Sequence, residues 1–280
     1  INCAANVSHY GNYNDFYNTN VKSVKLLIDF CNSFNKKIYH ISTTSIADTK
    51  LDLSFLAYNK NKNVLFNESS LYIGQSLNNI YIHSKFEAEN LVLTAISNGL
   101  DGYILRMGNL MPRLSDGKFQ VNFVENAYAN RLATFIKIKI VPDYLLNSYA
   151  EFTPVDSCAQ SVIKIIKYPT LKNRIFHLFN HNHVDIATLI NILNKFSPMQ
   201  ILSEEDFIKE VEKIIKSPNS DKILSGILRD FDTKKHLIYE SNIKLNSDFS
   251  INYLEKTDFK WPTISDSYIE RFIRYLTKED

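Results

Sequence analysis

Short apolar runs of β type alternate here with stretches whose apolar residues recur at helical spacing. That alternation limits the folds open to the chain more than any other feature. Residues 1–8 read as the end of a buried strand turning into a loop. Residues 20–31 place Val21, Val24, Leu27, Ile28 and Cys31 on one helical face, with Asn20 as a candidate N-cap. Lys37-Ile-Tyr-His-Ile-Ser is a strand, and Thr43-Thr-Ser lies at its carboxyl end. Residues 48–79 are polar and lack a strong period, an excursion before the next helix. That helix carries Tyr81 and ends at the pair Asn98-Gly99, which suits a C-cap. Gly102-Tyr-Ile-Leu-Arg-Met is a further buried strand, with Gly108 and Asn109 at its carboxyl end. Strand, helix, strand, helix, strand predicts a parallel sheet with right-handed crossovers.

In open parallel sheets ligands bind outside the carboxyl ends of the strands, which makes the hydroxyls at 43–45 candidates for function. Residues 114–150 depart from the alternation and include a helical stretch over 122–136. Thr153-Pro-Val-Asp156 leads into a helix over 157–168, with Asp156 expected to cap or orient it. A strand-like run follows at 173–180, then amphipathic helices at 186–196, 204–216 and 267–276. The run Ser203-Glu-Glu-Asp reads as a helix start, where carboxylates meet the macrodipole favourably.

Composition enters by exclusion. A formal net charge of +2 and the lack of a basic block interleaved with aromatics argue against nucleic acid. No apolar run approaches the roughly 18 residues of a membrane span and no signal peptide opens the chain, so a cytoplasmic location is expected. Cys3, Cys31 and Cys158 lie in apolar contexts without metal-like spacing, and all three are expected to be buried free thiols. The seven glycines make neither Gly-x-Gly-x-x-Gly nor a P-loop, so the chain carries no phosphate cradle of its own. It also opens at Ile1 in the middle of a strand pattern, and is expected to be a piece whose beginning is not represented.

Tyr81 and Lys85 are four residues apart on a helix, so their side chains share a face. A cation there favours the phenolate, and the expectation is a Tyr81 pKa drawn down toward working pH. A phenol so tuned can donate to a carbonyl oxygen as hydride reaches its carbon. His83 lies between them but points elsewhere and is expected on the helix surface. His177, His181 and His183 sit close in sequence without a carboxylate or cysteine partner, so no metal is expected.

Several motifs then occur in order along nearly the whole chain: Cys3-Ala4-Ala5, Asn20-Val21, Ile41-Ser-Thr-Thr-Ser, Gly74-Gln75, Tyr81-Ile-His-Ser-Lys85-Phe-Glu-Ala-Glu89, Arg106-Met-Gly-Asn-Leu110, Asp116-Gly-Lys-Phe-Gln120 and Thr153-Pro-Val-Asp156. With these the chain resembles an extended short-chain dehydrogenase/reductase. Within that superfamily it is similar to the terminal thioester reductase domains of nonribosomal peptide synthetases. The resemblance implies an α/β fold: a partial Rossmann-type parallel sheet, its N-terminal glycine-loop portion missing, with a smaller, mostly helical C-terminal substrate domain. The expected division is 1–113 plus 151–180 for the catalytic domain, and 114–150 plus 181–280 for substrate and carrier-protein binding. It implies a catalytic set of Tyr81, Lys85 and Thr43, with Thr44 as the fallback in an ambiguous register. Ala4, Ala5, Tyr81, Lys85, Gly108 and Asn109 would line the cofactor, and Asn20 would be a structural relay.

The activity implied is NADPH-dependent reduction of a peptidyl or acyl thioester, held on the phosphopantetheine arm of a carrier protein, to an aldehyde and in some members on to the alcohol. The family's Thr-Gly-x-x-Gly-x-x-Gly loop should precede Ile1, in roughly 60–100 residues of two βαβ units. The chain alone is therefore expected to bind NADPH feebly and to be inactive without that loop. Rival expectations are a carboxylic acid or fatty acyl thioester reductase, and a nucleotide-sugar epimerase or dehydratase, which usually carries Ser at the Thr43 position. A non-enzymatic docking and substrate-binding portion is a further rival.

Overall fold

The computed structural model describes residues 1–8, 11–52, 55–56, 64–169, 171, 174–228, 231 and 243–277. They form two compact units. The first comprises Ile1–Gly108, Cys158–Phe179 and Glu240–Lys260. Its elements are α1 (Ser23–Ser33), β1 (Ile38–Thr43), β2 (Val64–Phe66), α2 (Ile80–Ser97), β3 (Gly102–Met107), α3 (Val155–Lys167, from Cys158 on in this unit), β4 (Ile175–Leu178), β5 (Ile243–Leu245) and α4 (Asp248–Glu255). β1, β3 and β4 pair in parallel in that order, with Ile38 opposite Gly102 and Ile104 opposite Ile175. Asn2 adds a parallel bridge to His40 on the outer edge of β1.

Alternation along the strands sorts the side chains by face. Val24, Ile28 and Cys31 of α1 pack with Ala88 and Val92 of α2 against Ile38 and Ile104. On the other face Tyr39 stacks on Tyr103 with ring centroids 4.9 Å apart, and Phe176 meets Tyr253 of α4 at the same separation. α2 starts at Asn79, whose side chain accepts from the backbone N–H groups of Tyr81 and Ile82. Its C-terminal end is closed by Gly99 at φ +105°, a conformation that favours glycine.

Three expectations need correction here. Asn20 is not a cap: the helical path starts at Tyr13 behind Asn12, and Asn20 is buried inside a π-helical stretch, Tyr17–Lys22, that runs into α1. The excursion over 48–79 holds a strand, β2, which pairs in parallel with β5. Its partner lies far along the chain, where no local period could announce it; residues 53–54 and 57–63 lie outside the described residues. That pairing, with α4 packed against β4, places Glu240–Lys260 in the first unit, where the sequence division had assigned everything from 181 onward to the second. The run at 173–180 forms β4; Asn173 lies outside the described residues.

The second unit comprises Asn109–Ser157, Asn180–Tyr239 and Trp261–Asp280. Its helices Ala127–Ile138, Ile186–Asn194 and Asp266–Thr277 pack around Phe152, whose ring meets Tyr268 and Phe272 edge-on. Two short parallel strand pairs complete it, Leu110–Met111 with Thr153–Pro154 and Gln200–Leu202 with Ile140–Pro142. Asp156 accepts from the backbone of Leu114 and Ser115 and so fixes the loop there. Among the described residues no helix is long and apolar enough to cross a membrane.

Candidate active site

β1 delivers Thr43 at its carboxyl end, and the first turns of α2 deliver Tyr81 and Lys85. The Thr43 hydroxyl oxygen accepts from Ser45 N–H at 3.1 Å, capping a short 3-10 turn. Its own hydrogen is thereby left to turn toward the phenol of Tyr81, whose pKa the Thr43 side chain lowers. Thr44 turns the other way and donates to the carbonyl of Met107 at 3.2 Å, tying β1 to β3. Thr43 thus lies toward the tyrosine, whereas Thr44 braces the sheet.

Lys85 is 3% exposed and donates to the carbonyl of Ile41 at 2.8 Å. Burial pulls its ammonium down to about 8, against support from Glu89 and Cys3. Tyr81 departs from expectation. Burial raises its pKa, and the Thr43 hydrogen bond only partly offsets this. Desolvating a phenolate outweighs what neighbouring donors return, so the resting group is a protonated phenol, the form a proton donor needs.

Asn20 joins this corner indirectly. Its side chain accepts from Asn6 N–H at 2.6 Å and donates to Asn6 O at 3.0 Å and Ser84 Oγ at 2.9 Å. Ser84 in turn donates to the carbonyl of Tyr81 at 2.8 Å, so Asn20 locks the loop after the edge strand to the first turn of α2. Ala4 is exposed and Ala5 half-buried in that loop, with Ala4 N–H on the Asn2 side chain at 3.2 Å. Cys3 is exposed, contrary to expectation, because the edge of the sheet leaves it uncovered; Cys31 and Cys158 are buried free thiols. His83 is exposed on α2 beside the Tyr13 ring.

Gly108 closes β3 with its N–H on the carbonyl of Leu178 at 3.1 Å. Asn109 belongs to the second unit and is exposed, its backbone N–H and side-chain amide both on the carboxylate of Glu151 at 2.8 and 3.3 Å. Burial raises Glu151 to about 7 despite its bonds from Thr153 and Asn109. Glu151 was not among the sequence candidates, and no motif signal marks it. Nor could local sequence find the polar row of Ser42, Arg106 and His177, which stand in register across β1, β3 and β4. His177 takes part in that row and bonds the carbonyl of Asn246. Among the described residues no group of three or more His, Cys, Asp or Glu could hold a metal.

The donor set fits a nicotinamide nucleotide. Lys85 has three N–H donors and Ile41 takes one among the described contacts, which leaves donors for a sugar diol. A parallel sheet with a hydroxyl at one strand end and a Tyr-x-x-x-Lys pair beside it defines the extended short-chain dehydrogenase/reductase class. Within it, the chain belongs to the NAD-binding family described as Male sterility protein, which matches residues 1–162.

The chain is similar to a thiolation-reductase di-domain from an archaeal non-ribosomal peptide synthetase, at 29% identity and a TM-score of 0.81 over 99% of this chain and 57% of that one. The terminal R domain of the myxalamid PKS-NRPS pathway is 19% identical, with a TM-score of 0.79 over 98% of this chain and 66% of that one. UDP-glucuronic acid 4-epimerase from Bacillus cereus is 15% identical, with a TM-score of 0.62 over 99% of this chain and 74% of that one. The last two likenesses speak for the fold alone. The chain spans 57% and 66% of the lengths of the two reductase chains. No curated protein matches it in sequence.

Proposed function

We propose that this chain carries the catalytic residues of a nicotinamide-dependent thioester reductase that releases a carrier-bound acyl or peptidyl chain as an aldehyde. The observation that carries this reading is the meeting of the Thr43 and Tyr81 side chains at the carboxyl end of β1, with the buried ammonium of Lys85 anchored on Ile41 O two residues before Thr43. NADPH is the proposed cofactor, with Lys85 on its nicotinamide ribose and Ala4, Ala5, Gly108 and Asn109 along its path. When bound, it supplies hydride to the thioester carbonyl carbon.

On substrate binding the Thr43 hydrogen turns from the phenol to the carbonyl oxygen, and it and the Tyr81 hydroxyl donate there as negative charge builds. Tyr81, held protonated by its burial, passes its proton to that oxygen, and Lys85 one turn along α2 stabilises the phenolate left behind. The Tyr81 phenolate takes that proton back as the carbonyl re-forms and the carbon–sulfur bond breaks; the electron pair leaves on sulfur, and the thiolate takes a proton from solvent, giving the aldehyde and the free pantetheine thiol. The second unit is the proposed site of substrate and carrier recognition. An alcohol product requires a second round of the same step on the free aldehyde.

The test joins the chain upstream to a glycine-rich βαβ segment and supplies NADPH with an acyl-pantetheine thioester. Loss of nicotinamide absorbance with release of an aldehyde is expected, slowed about 10²–10⁴-fold by Tyr81→Phe. Turnover of a UDP-sugar in place of the thioester, or a Tyr81→Phe variant as fast as the parent, sinks the reading.

A further inference from the structure

One buried carboxylate on α2 joins the polar row that crosses the sheet. Glu89 follows Lys85 by four residues on α2, so the two share a helix face, and its side chain has no exposure. Ser42 Oγ donates to one carboxylate oxygen at 2.7 Å. Arg106 gives Nε to the other at 2.9 Å and an Nη2 hydrogen to that same oxygen. The remaining guanidinium donors are also taken: Nη1 meets Asn67 O at 3.3 Å and His177 Nε2 at 3.0 Å, and Nη2 meets Ser70 O at 2.6 Å. His177 gives its Nδ1 hydrogen to Asn246 O at 2.8 Å, so its Nε2 accepts and the ring is neutral. Glu89 is therefore fixed by Ser42 and Arg106, and Lys85, four residues before it on the same helix face, reaches the carbonyl of Ile41, the residue before Ser42 on β1.

We propose that Glu89 is a positioning residue for Lys85: pinned by Ser42 and Arg106 one helical turn from the ammonium, its carboxylate keeps Lys85 charged at the reaction centre. The catalytic meaning of this rests on the reading of Lys85 given above; the electrostatic claim does not. The titratable groups whose charge is felt at Lys85, or that feel its charge, are Glu89 on its own helix, Cys3 from the sheet edge and His40 from β1. His40 is neutral, held there by burial and by Lys85 itself. Cys3 is exposed, so water screens whatever charge it carries. Glu89 acts through the low-dielectric interior, where a unit charge counts for several times more. A carboxylate that served Arg106 alone would leave the titration of Lys85 where it is.

That difference is the test. The chain is labelled with isotope at the lysine ζ-nitrogen and the Lys85 resonance, assigned by its loss in Lys85→Arg, is followed across pH. In the parent the midpoint is expected near 8. Glu89→Gln keeps the shape of the side chain and removes the charge, and the midpoint is expected to fall by about one unit. Because that change leaves the Arg106 charge buried and uncompensated, a second variant, E89L/R106M, removes both charges with similar volume, a swap that buried ion pairs often tolerate. A smaller downward shift is expected there, because the Arg106 charge that opposes Lys85 is removed with the carboxylate. An unmoved midpoint in either folded variant overturns the proposal. Failure of both variants to fold also overturns it, since the carboxylate then serves the fold alone. The titration needs neither cofactor nor thioester, so its outcome is independent of whether the chain reduces thioesters.

Discussion

Thr43 accepts a backbone hydrogen bond with its oxygen, and that contact decides where its hydrogen points. Thr43→Val keeps the shape and removes the donor. The expected result is about a 10²-fold fall in the rate of thioester reduction, a loss of about 1 kcal/mol of stability from the missing cap, and recovery of both in Thr43→Ser. Equal rates for the valine variant and the parent would remove Thr43 from the mechanism. The spacing of Tyr81 and Lys85 was legible from the sequence because a helix repeats its face every three or four residues. Their protonation states were not. Burial is a property of the packed chain, and it moved the phenol in the direction opposite to the one the charge of Lys85 suggested. Thr43 and Thr44 carry the same functional group, so only the path of the chain out of β1 distinguishes them.

Two elements present measurable weak points. Asn79 caps α2 with two hydrogen bonds to its first turn, which is also the turn that holds Tyr81. Asn79→Ala is expected to cost about 1 kcal/mol in urea unfolding, and to slow reduction by more than that loss explains. A rate unchanged alongside the lost stability would detach the cap from the site. In the second unit, a Cβ on Gly226 would lie 2.3 Å from the carbonyl oxygen of Asn130, on the backbone of a helix that cannot give way. Gly226→Ala is therefore expected to destabilise by at least about 1–3 kcal/mol, read from the same denaturant curves. The helices were largely legible because their apolar stripes are local. The π-helical stretch before α1 was not, since its register is set by what Asn20 must reach: Asn6 and Ser84.

At the scale of the whole molecule, the buried row gives the chain a predictable acid response. Burial and Arg106 hold His177 at about 3, against an ordinary 6.5, despite its bond to Asn246. The folded chain thus binds fewer protons than the unfolded chain between those values, and stability is lost as pH falls from 6.5 toward 3. The slope from this group alone is at most about 1.4 kcal/mol per pH unit. Unfolding free energy measured through that window should flatten in His177→Gln relative to the parent; parallel curves would mean that His177 is not the group responsible. By itself, the order of strands and helices along the chain determined the parallel sheet and the helix that carries Tyr81 and Lys85, because both follow from side-chain periods that span only a few residues. Only the tertiary structure decided that Ser42, Arg106 and His177 form one row, that β2 pairs with β5, and that Glu89 bonds Ser42 and Arg106. Each of these joins residues distant in sequence through strand register and burial, and neither quantity exists until the chain has packed.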